Sequence, residues 1–161
     1  TQIGEIQVDS RIAENTRQFL AAAQTIAPEE TLISGYRSRA EQEELYNEKV
    51  AGEVAKGLSN EEAVSIVLKQ VQLPGASEHQ TGLAIDMSAP EGQEDELAAK
   101  IAQLAPQYGF VLRYPDGKSD ITGVDFENWH YRYVGVENAQ YMQKHNLVLE
   151  EYIALLKAAG K

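Results

Sequence analysis

The chain has 161 residues, 43% hydrophobic and 24% charged, which predicts a folded globular domain rather than a disordered or fibrous chain. Its net charge of −11 would repel phosphate backbones, so we expect no nucleic-acid partner. The apolar stretches are only a few residues long, far short of the roughly 20 that cross a bilayer, and we expect no membrane-spanning segment.

The length fits one domain, and no internal repeat or linker divides it, so residues 1–161 are expected to form a single domain. The chain contains no cysteine. Disulfides, thiolate nucleophiles and cysteine-ligated zinc are therefore excluded, and any metal would have to bind to His, Asp or Glu.

The N-terminal third predicts two helices with a short strand between them. Ser10 is expected to cap a helix that runs to about residue 27, and residues 31–34 have strand character. Ser38 and Glu41 form a capping-box pattern, so a second helix should begin just after them.

The middle of the chain predicts a further helix, a loop and a strand. Ser59 and Glu62 form a second capping box, ahead of a helix expected to extend toward residue 71. Residues 72–82 are rich in Pro, Gly and small polar residues, which indicates a loop. In the strand predicted over residues 83–87, alternation turns Asp86 away from the core side.

The C-terminal part alternates helices and strands. A helix is expected over residues 94–108, strands over 109–113 and 129–134, and helices over 137–145 and 149–158. The resulting fold class is α+β, with helices flanking a small, mainly antiparallel sheet.

Two of the three histidines lie in segments dense in polar and aromatic residues. His79 precedes Asp86 by seven positions, and His130 follows Glu127 by three. Two imidazoles and one carboxylate make a three-ligand set typical of catalytic zinc, with Glu127 left over as a base. Zinc lowers the pKa of water to roughly 7, and this combination can hydrolyse amides.

Glu127 and His130 would face opposite sides of a regular strand. We therefore predict that Glu127 lies in a turn just ahead of the strand, with a bend near Asn128. The alternative is that the His and Asp residues are hydrogen-bonded structural groups, and their spacing alone leaves both interpretations open.

Three more residues have both a functional and an ordinary interpretation. Arg37 could stabilise an oxyanion or could be a surface cation. Ser77 could bind a substrate carboxylate or serve as a loop hydrogen-bonding group, and Gln42 could contact substrate or simply be solvated. His145, at an expected helix end, is interpreted as structural.

The chain contains three ordered motifs: Ser-Gly-Tyr-Arg-Ser at 34–38, Ser-Glu-His-Gln-Thr-Gly-Leu-Ala-Ile-Asp at 77–86 and Glu-Asn-Trp-His-Tyr-Arg-Tyr at 127–133. Together they resemble the motifs of the VanY-type zinc D-alanyl carboxypeptidases. The resemblance implies the small α+β fold that this family shares with hedgehog-type domains. It also implies a zinc cofactor and peptidoglycan stem peptides ending in D-alanine as substrates.

The resemblance assigns a role to each motif residue. It implies that the zinc ligands are His79, Asp86 and His130. Glu127 corresponds to the catalytic base and Arg37 to the residue that stabilises the oxyanion. Ser77 and Gln42 match substrate-contacting positions.

Within the family, the segment 111–117 and the tail around Glu150 to Tyr152 most resemble the LdcB and DacB L,D-carboxypeptidases of Gram-positive bacteria. We therefore expect removal of the terminal D-Ala from tetrapeptide stems. The alternatives are D,D-carboxypeptidase activity on pentapeptides, an endopeptidase, a noncatalytic zinc-binding recognition module and a metal-free scaffold. The resemblance further implies an exported, extracellular domain, trimmed of its export or anchor segment, that acts at the cell wall. We expect this domain to be a monomer.

Overall fold

A computed structural model describes all 161 residues and contains a four-stranded sheet preceded by a small hairpin. The hairpin pairs β1 (Gln2–Ile3) with β2 (Ile6–Gln7). The main sheet contains β3 (Thr31–Ser34), β4 (Ala84–Ser88), β5 (Phe110–Leu112) and β6 (His130–Tyr133), in the order β3-β4-β6-β5. All of its neighbouring strands are antiparallel, which confirms the predicted sheet and the α+β class.

Seven α-helices accompany the sheet. They are α1 (Ala13–Ile26), α2 (Arg39–Ala55), α3 (Asn60–Val67), α4 (Asp95–Leu104), α5 (Ser119–Thr122), α6 (Val136–Lys144) and α7 (Leu149–Ala158). Short 3-10 turns cover Ser10–Ile12, Glu78–Thr81 and Ala105–Tyr108. No helix combines the length and the apolar character needed to cross a membrane.

The two predicted capping boxes are present. The Ser38 hydroxyl accepts a hydrogen bond from the Glu41 amide, and the Glu41 carboxylate accepts one from the Ser38 amide. Ser59 and Glu62 make the same reciprocal pair at the start of α3. These local bonds satisfy amides that the first helical turn leaves free, which is why both starts could be predicted from sequence.

The predicted start of the first helix is wrong. Ser10 does not cap it, because the Asp9 carboxylate accepts from the Arg11 amide and Ser10 is the first residue of the 3-10 turn that leads into α1. Asp and Ser are both favourable helix N-cap residues, so local preference does not distinguish Asp9 from Ser10. The hairpin and α5 were not predicted, because such short elements depend on tertiary contacts rather than on periodicity.

The main core packs α1 and α4 against one face of the sheet. Phe19 is fully buried, with its ring centroid 5.3 Å from that of Phe110 and 4.9 Å from that of Tyr131. Ile85 and Met87 contribute the same face of β4 to this core. Because strand side chains alternate, burying these two residues turns Asp86 toward the opposite face.

One carboxyl group is buried at the beginning of β3. Glu30 is 2% exposed, and neither of its carboxylate oxygens accepts a hydrogen bond from a protein group. Burial raises the pKa of Glu30 from its ordinary value of 4.5 to about 7. Ionisation of this group is therefore expected to destabilise the folded state.

We predict that Glu30→Gln stabilises the protein at pH 8 and has little effect at pH 5. The pKa is higher in the folded than in the unfolded chain, so the stability linked to the protonated carboxyl is present at low pH and lost as pH rises through about 7. At about 1.4 kcal/mol per pKa unit, the gain in free energy of unfolding at pH 8 is on the order of 3 kcal/mol.

Urea unfolding of both proteins at the two pH values measures this difference. Glu29→Gln removes a neighbouring carboxylate that is exposed, and it serves as the control. Equal gains from the two substitutions, or a gain from Glu30→Gln that is independent of pH, would contradict the prediction.

Candidate metal centre

The register of the sheet brings Asp86 and His130 together. Asp86 on β4 pairs directly with His130 on β6, and Ser34 at the end of β3 pairs with Asp86 from the other side. His79 comes from the 3-10 turn before β4. Donor atoms of His79, Asp86 and His130 all lie within 4.8 Å of one another, so the structure brings together the three predicted ligands.

His79 is oriented by a backbone carbonyl. Its Nδ1 donates to the Gly35 oxygen at 2.8 Å, which leaves Nε2 at 3.5 Å from Asp86 Oδ1. A Cβ atom at Gly35 would overlap the carbonyl oxygen of Gln7, so this position has no room for a side chain. The close approach of hairpin and loop at Gly35 thus places the carbonyl that holds His79.

His130 is oriented by a carboxylate. Its Nε2 donates to Glu78 Oε1 at 2.7 Å, and its Nδ1 lies 3.2 Å from Asp86 Oδ1. The rings of His79 and His130 meet edge to face, with centroids 4.8 Å apart and planes at 88°. In each imidazole, one ring nitrogen is engaged in this orienting hydrogen bond, and the other ring nitrogen faces Asp86.

This arrangement fits a divalent cation. Asp86 Oδ1 is buried and accepts no well-directed hydrogen bond. Burial alone would raise the pKa of Asp86, but the two neighbouring imidazoles hold it well below its usual range, so the carboxylate is ionised. Burial opposes protonation of His130, but the carboxylates of Asp86 and Glu78 raise its pKa to about 9 in the metal-free protein. A bound cation would displace that proton, and lone pairs from two neutral imidazoles and one carboxylate would then converge in an N,N,O donor set typical of catalytic zinc.

Glu127 lies beside the three ligands. It sits in irregular backbone just ahead of β6, and Asn128 and Trp129 form the bend that was predicted near Asn128. Its Oε2 is 3.7 Å from His130 Nδ1. Burial, reinforced by the charges of Asp86 and Glu78 and opposed by that of His130, raises the pKa of Glu127 to about 7. A carboxyl group with such a pKa can exchange protons near neutral pH.

Arg37 points toward the carboxylate of Asp86. Its Nη2 lies 3.9 Å from Asp86 Oδ2 and donates to the Ser34 hydroxyl at 2.9 Å, while Nη1 donates to Gln42 Oε1 at 2.7 Å. Gln42 is 1% exposed, and its amide nitrogen donates to the Gln72 carbonyl at 2.6 Å. Gln42 thus holds Arg37 in place, and its expected contact with substrate stays a prediction.

Ser77 lies at the base of the site. Its hydroxyl accepts from the His79 amide at 3.3 Å and so caps the 3-10 turn that carries this ligand, with 6% of the residue exposed. A substrate contact at Ser77 also stays a prediction.

The site opens into a cavity of about 640 Å³. Trp129 and Phe126 form part of its wall and are 40% and 37% exposed. Tyr114 packs against His130, with ring centroids 5.1 Å apart. Sequence reasoning did not single out Tyr114 or Glu78 for the site. Glu78 is adjacent to His79 in the chain, but nothing local shows that its side chain reaches across to His130.

Comparison with known proteins finds related sequences over nearly the whole chain. The VanY family model, described as D-alanyl-D-alanine carboxypeptidase, matches residues 5–136. A D-alanyl-D-alanine carboxypeptidase of Enterococcus faecalis is 38% identical over 149 residues, which cover 91% of this chain and 56% of the relative. The bifunctional D-Ala-D-Ala dipeptidase and D-Ala-D-Ala carboxypeptidase VanXYC of Enterococcus gallinarum is 37% identical, over 75% of this chain and 64% of the relative. The chain thus spans less than two thirds of either relative.

Solved structures with the same fold include a D,D-pentapeptidase and an L,D-carboxypeptidase. A mutant of the vancomycin resistance D,D-pentapeptidase VanY in complex with Zn(II) superposes with a TM-score of 0.88 and 37% identity, over 95% of this chain and 88% of that one. VanYB in complex with D-Alanine-D-Alanine gives 0.89 and 36%, over 96% and 86%. The LdcB LD-carboxypeptidase gives 0.75 and 32%, over 91% and 68%.

We predict that Asp86→Asn weakens Zn²⁺ binding by more than about 100-fold, because losing a ligand charge should exceed the effect of losing an outer hydrogen bond. Chelator competition with the metal-free protein measures the dissociation constant. Asp125→Asn removes the same charge from an exposed position on the cavity wall and should leave the constant nearly unchanged. Similar constants for the two variants would rule out Asp86 as a ligand.

Proposed function

The chain belongs to the VanY family of D-alanyl-D-alanine carboxypeptidases, and we propose that it is a zinc carboxypeptidase that removes the C-terminal D-Ala from peptidoglycan stem peptides. The observation that carries this proposal is the convergence of His79, Asp86 and His130 next to a buried Glu127 at the base of an open cavity. Residues 1–161 would act as one catalytic domain.

His79, Asp86 and His130 would hold the zinc ion. When bound, zinc would supply Lewis acidity that polarises the scissile carbonyl and lowers the pKa of water. Metal binding requires neutral imidazoles, and their hydrogen bonds to Gly35 and Glu78 would then keep them in the required tautomers.

Glu127 would move the protons of the reaction. Its carboxylate takes a proton from the attacking water and then delivers it to the nitrogen of the leaving D-Ala. Its low exposure and its raised pKa of about 7 suit a group that must accept and release a proton in one catalytic cycle.

Arg37 would stabilise the negative charge that develops on the carbonyl oxygen. Two of its N–H groups are held by Gln42 and Ser34, and a guanidinium carries five donors, so others remain for the substrate. Such preorganised donors near a developing charge act most strongly in a site that excludes water.

The structural similarity favours a D-Ala residue before the cleaved bond. VanYB, whose complex contains D-Alanine-D-Alanine, superposes with a TM-score of 0.89, against 0.75 for LdcB. We propose pentapeptide stems ending in D-Ala-D-Ala as the first candidate substrate. Tetrapeptide stems, the expectation from segment 111–117 and the C-terminal tail, remain the second candidate.

We also propose a partner, a place of action and an oligomeric state for the protein. Its partner would be the stem peptide itself, and the place of action would be the extracellular cell wall, where that peptide lies. We propose that the domain acts as a monomer, since a single chain supplies all three ligands and Glu127.

We predict that Glu127→Gln retains zinc but loses about 100-fold to 10,000-fold in the rate of D-Ala release, the range typical of a general acid–base group. Stoichiometric metal analysis and a coupled D-Ala assay on the same preparation test the two parts separately. Near-normal D-Ala release by this variant would exclude Glu127 as the base.

The substrate class is tested by incubating the protein with matched tetrapeptide and pentapeptide muropeptides and analysing the products by mass spectrometry. Loss of a single terminal D-Ala from the pentapeptide supports D,D activity, and loss from the tetrapeptide alone supports L,D activity. Cleavage inside the stem or cross-bridge would indicate an endopeptidase. Zinc binding without any cleavage would indicate the noncatalytic recognition module.

A further inference from the structure

Glu78 connects the metal centre to two arginines. Its Oε1 accepts from His130 Nε2 at 2.7 Å, while Oε2 accepts from Arg132 Nη1 at 2.9 Å and from Arg113 Nε at 3.2 Å. The Glu78 side chain is only 11% exposed. Both of its oxygens are therefore engaged in bonds to neighbouring side chains.

Arg113 extends this network to the C-terminal helix. Its Nη1 and Nη2 donate to the two carboxylate oxygens of Glu150, in the first turn of α7, at 2.6 and 3.0 Å. The backbone of Arg113 also donates to the His130 carbonyl at 3.0 Å. A bidentate arginine–carboxylate pair fixes direction as well as distance, so α7 determines how the Arg113 side chain is presented to Glu78.

We propose that Glu78 is the positioning residue for the ligand His130, and that α7 holds it in place through the Glu150–Arg113 pair. This inference rests on the proposed function only in taking His130 as a metal ligand. Glu150 lies beyond residues 5–136, where the VanY family model matches, so the C-terminal helix would contribute to metal affinity from outside that segment.

The geometry separates this role from that of a fourth ligand. Glu78 binds the Nε2 side of His130, whereas Asp86 faces the Nδ1 side. A metal at the shared face of the ligands is therefore on the far side of the imidazole from Glu78. A carboxylate in this position fixes the tautomer and the rotation of a histidine ligand and increases its basicity.

Two variants and a matched control test the proposal. Glu78→Gln should weaken Zn²⁺ binding by about 10-fold to 100-fold, and Glu150→Gln by a smaller factor of about 3 to 10, because Glu150 reaches His130 only through Arg113 and Glu78. Glu151→Gln removes a 2.8 Å ion pair with Lys118 from the same helix turn, and we expect it to stay within about twofold of the wild type.

The measurements are the zinc dissociation constant by chelator competition, the visible spectrum of the Co²⁺-substituted protein and the unfolding midpoint of the metal-free protein. The proposal predicts an altered Co²⁺ spectrum for Glu78→Gln and a zinc affinity for Glu150→Gln that falls more than its metal-free stability accounts for. Equal zinc affinities for the Glu150→Gln and Glu151→Gln variants would overturn it.

Glu78→Gln leaves Arg132 without its carboxylate partner and removes one of the two carboxylates that contact Arg113, so this variant could fail to fold. The comparison of Glu150→Gln with Glu151→Gln therefore decides the proposal by itself. None of these measurements uses a substrate. A protein that binds zinc but releases no D-Ala would refute the proposed activity, and the ratio of the two dissociation constants would still decide whether α7 supports the metal centre.

Discussion

The antiparallel pairing of β4 with β6 is the constraint on which the rest of the site depends. It places Asp86 directly opposite His130 on one face of the sheet, while Ile85 and Tyr131, the next pair along, enter the core on the other face. A shift of one residue in this register would send the ligands into the core and the apolar residues into the cavity. Hydrophobic burial on one face of the sheet therefore fixes the positions of the two ligand residues, Asp86 and His130, on the other face.

The polar groups of the site are also ordered from outside by directional bonds. Gly35 holds His79 through a carbonyl oxygen, Glu78 holds His130 through a carboxylate, and Gln42 holds Arg37 through an amide. Each bond uses the atom that faces away from Asp86, which leaves the converging atoms free for a cation and a substrate. A polar cluster of this kind is stable only if each member has a partner, and the buried Asp86 Oδ1 is the atom that a metal would satisfy.

These supporting groups come from distant parts of the chain. The hairpin at the N-terminus shapes the backbone around Gly35, and the C-terminal helix α7 restrains Arg113 through Glu150. Both ends of the domain thus contribute to a centre whose ligands lie between residues 79 and 130. The hairpin acts on His79 through Gly35, whereas the proposed role of α7 concerns His130, which the register of the sheet holds opposite Asp86.

The sequence by itself determined what depends on local preference and on residue type. The capping boxes at Ser38 and Ser59 set two helix starts, alternation set the side of the strand on which Asp86 lies, and the motifs identified the three residues that converge. Only the tertiary structure decided that Gln42 supports Arg37 and that Glu78 turns to His130 instead of to solvent. The physical reason is distance along the chain: Glu78 and His130 are 52 residues apart, and no local pattern encodes a hydrogen bond that exists only after the strands have paired.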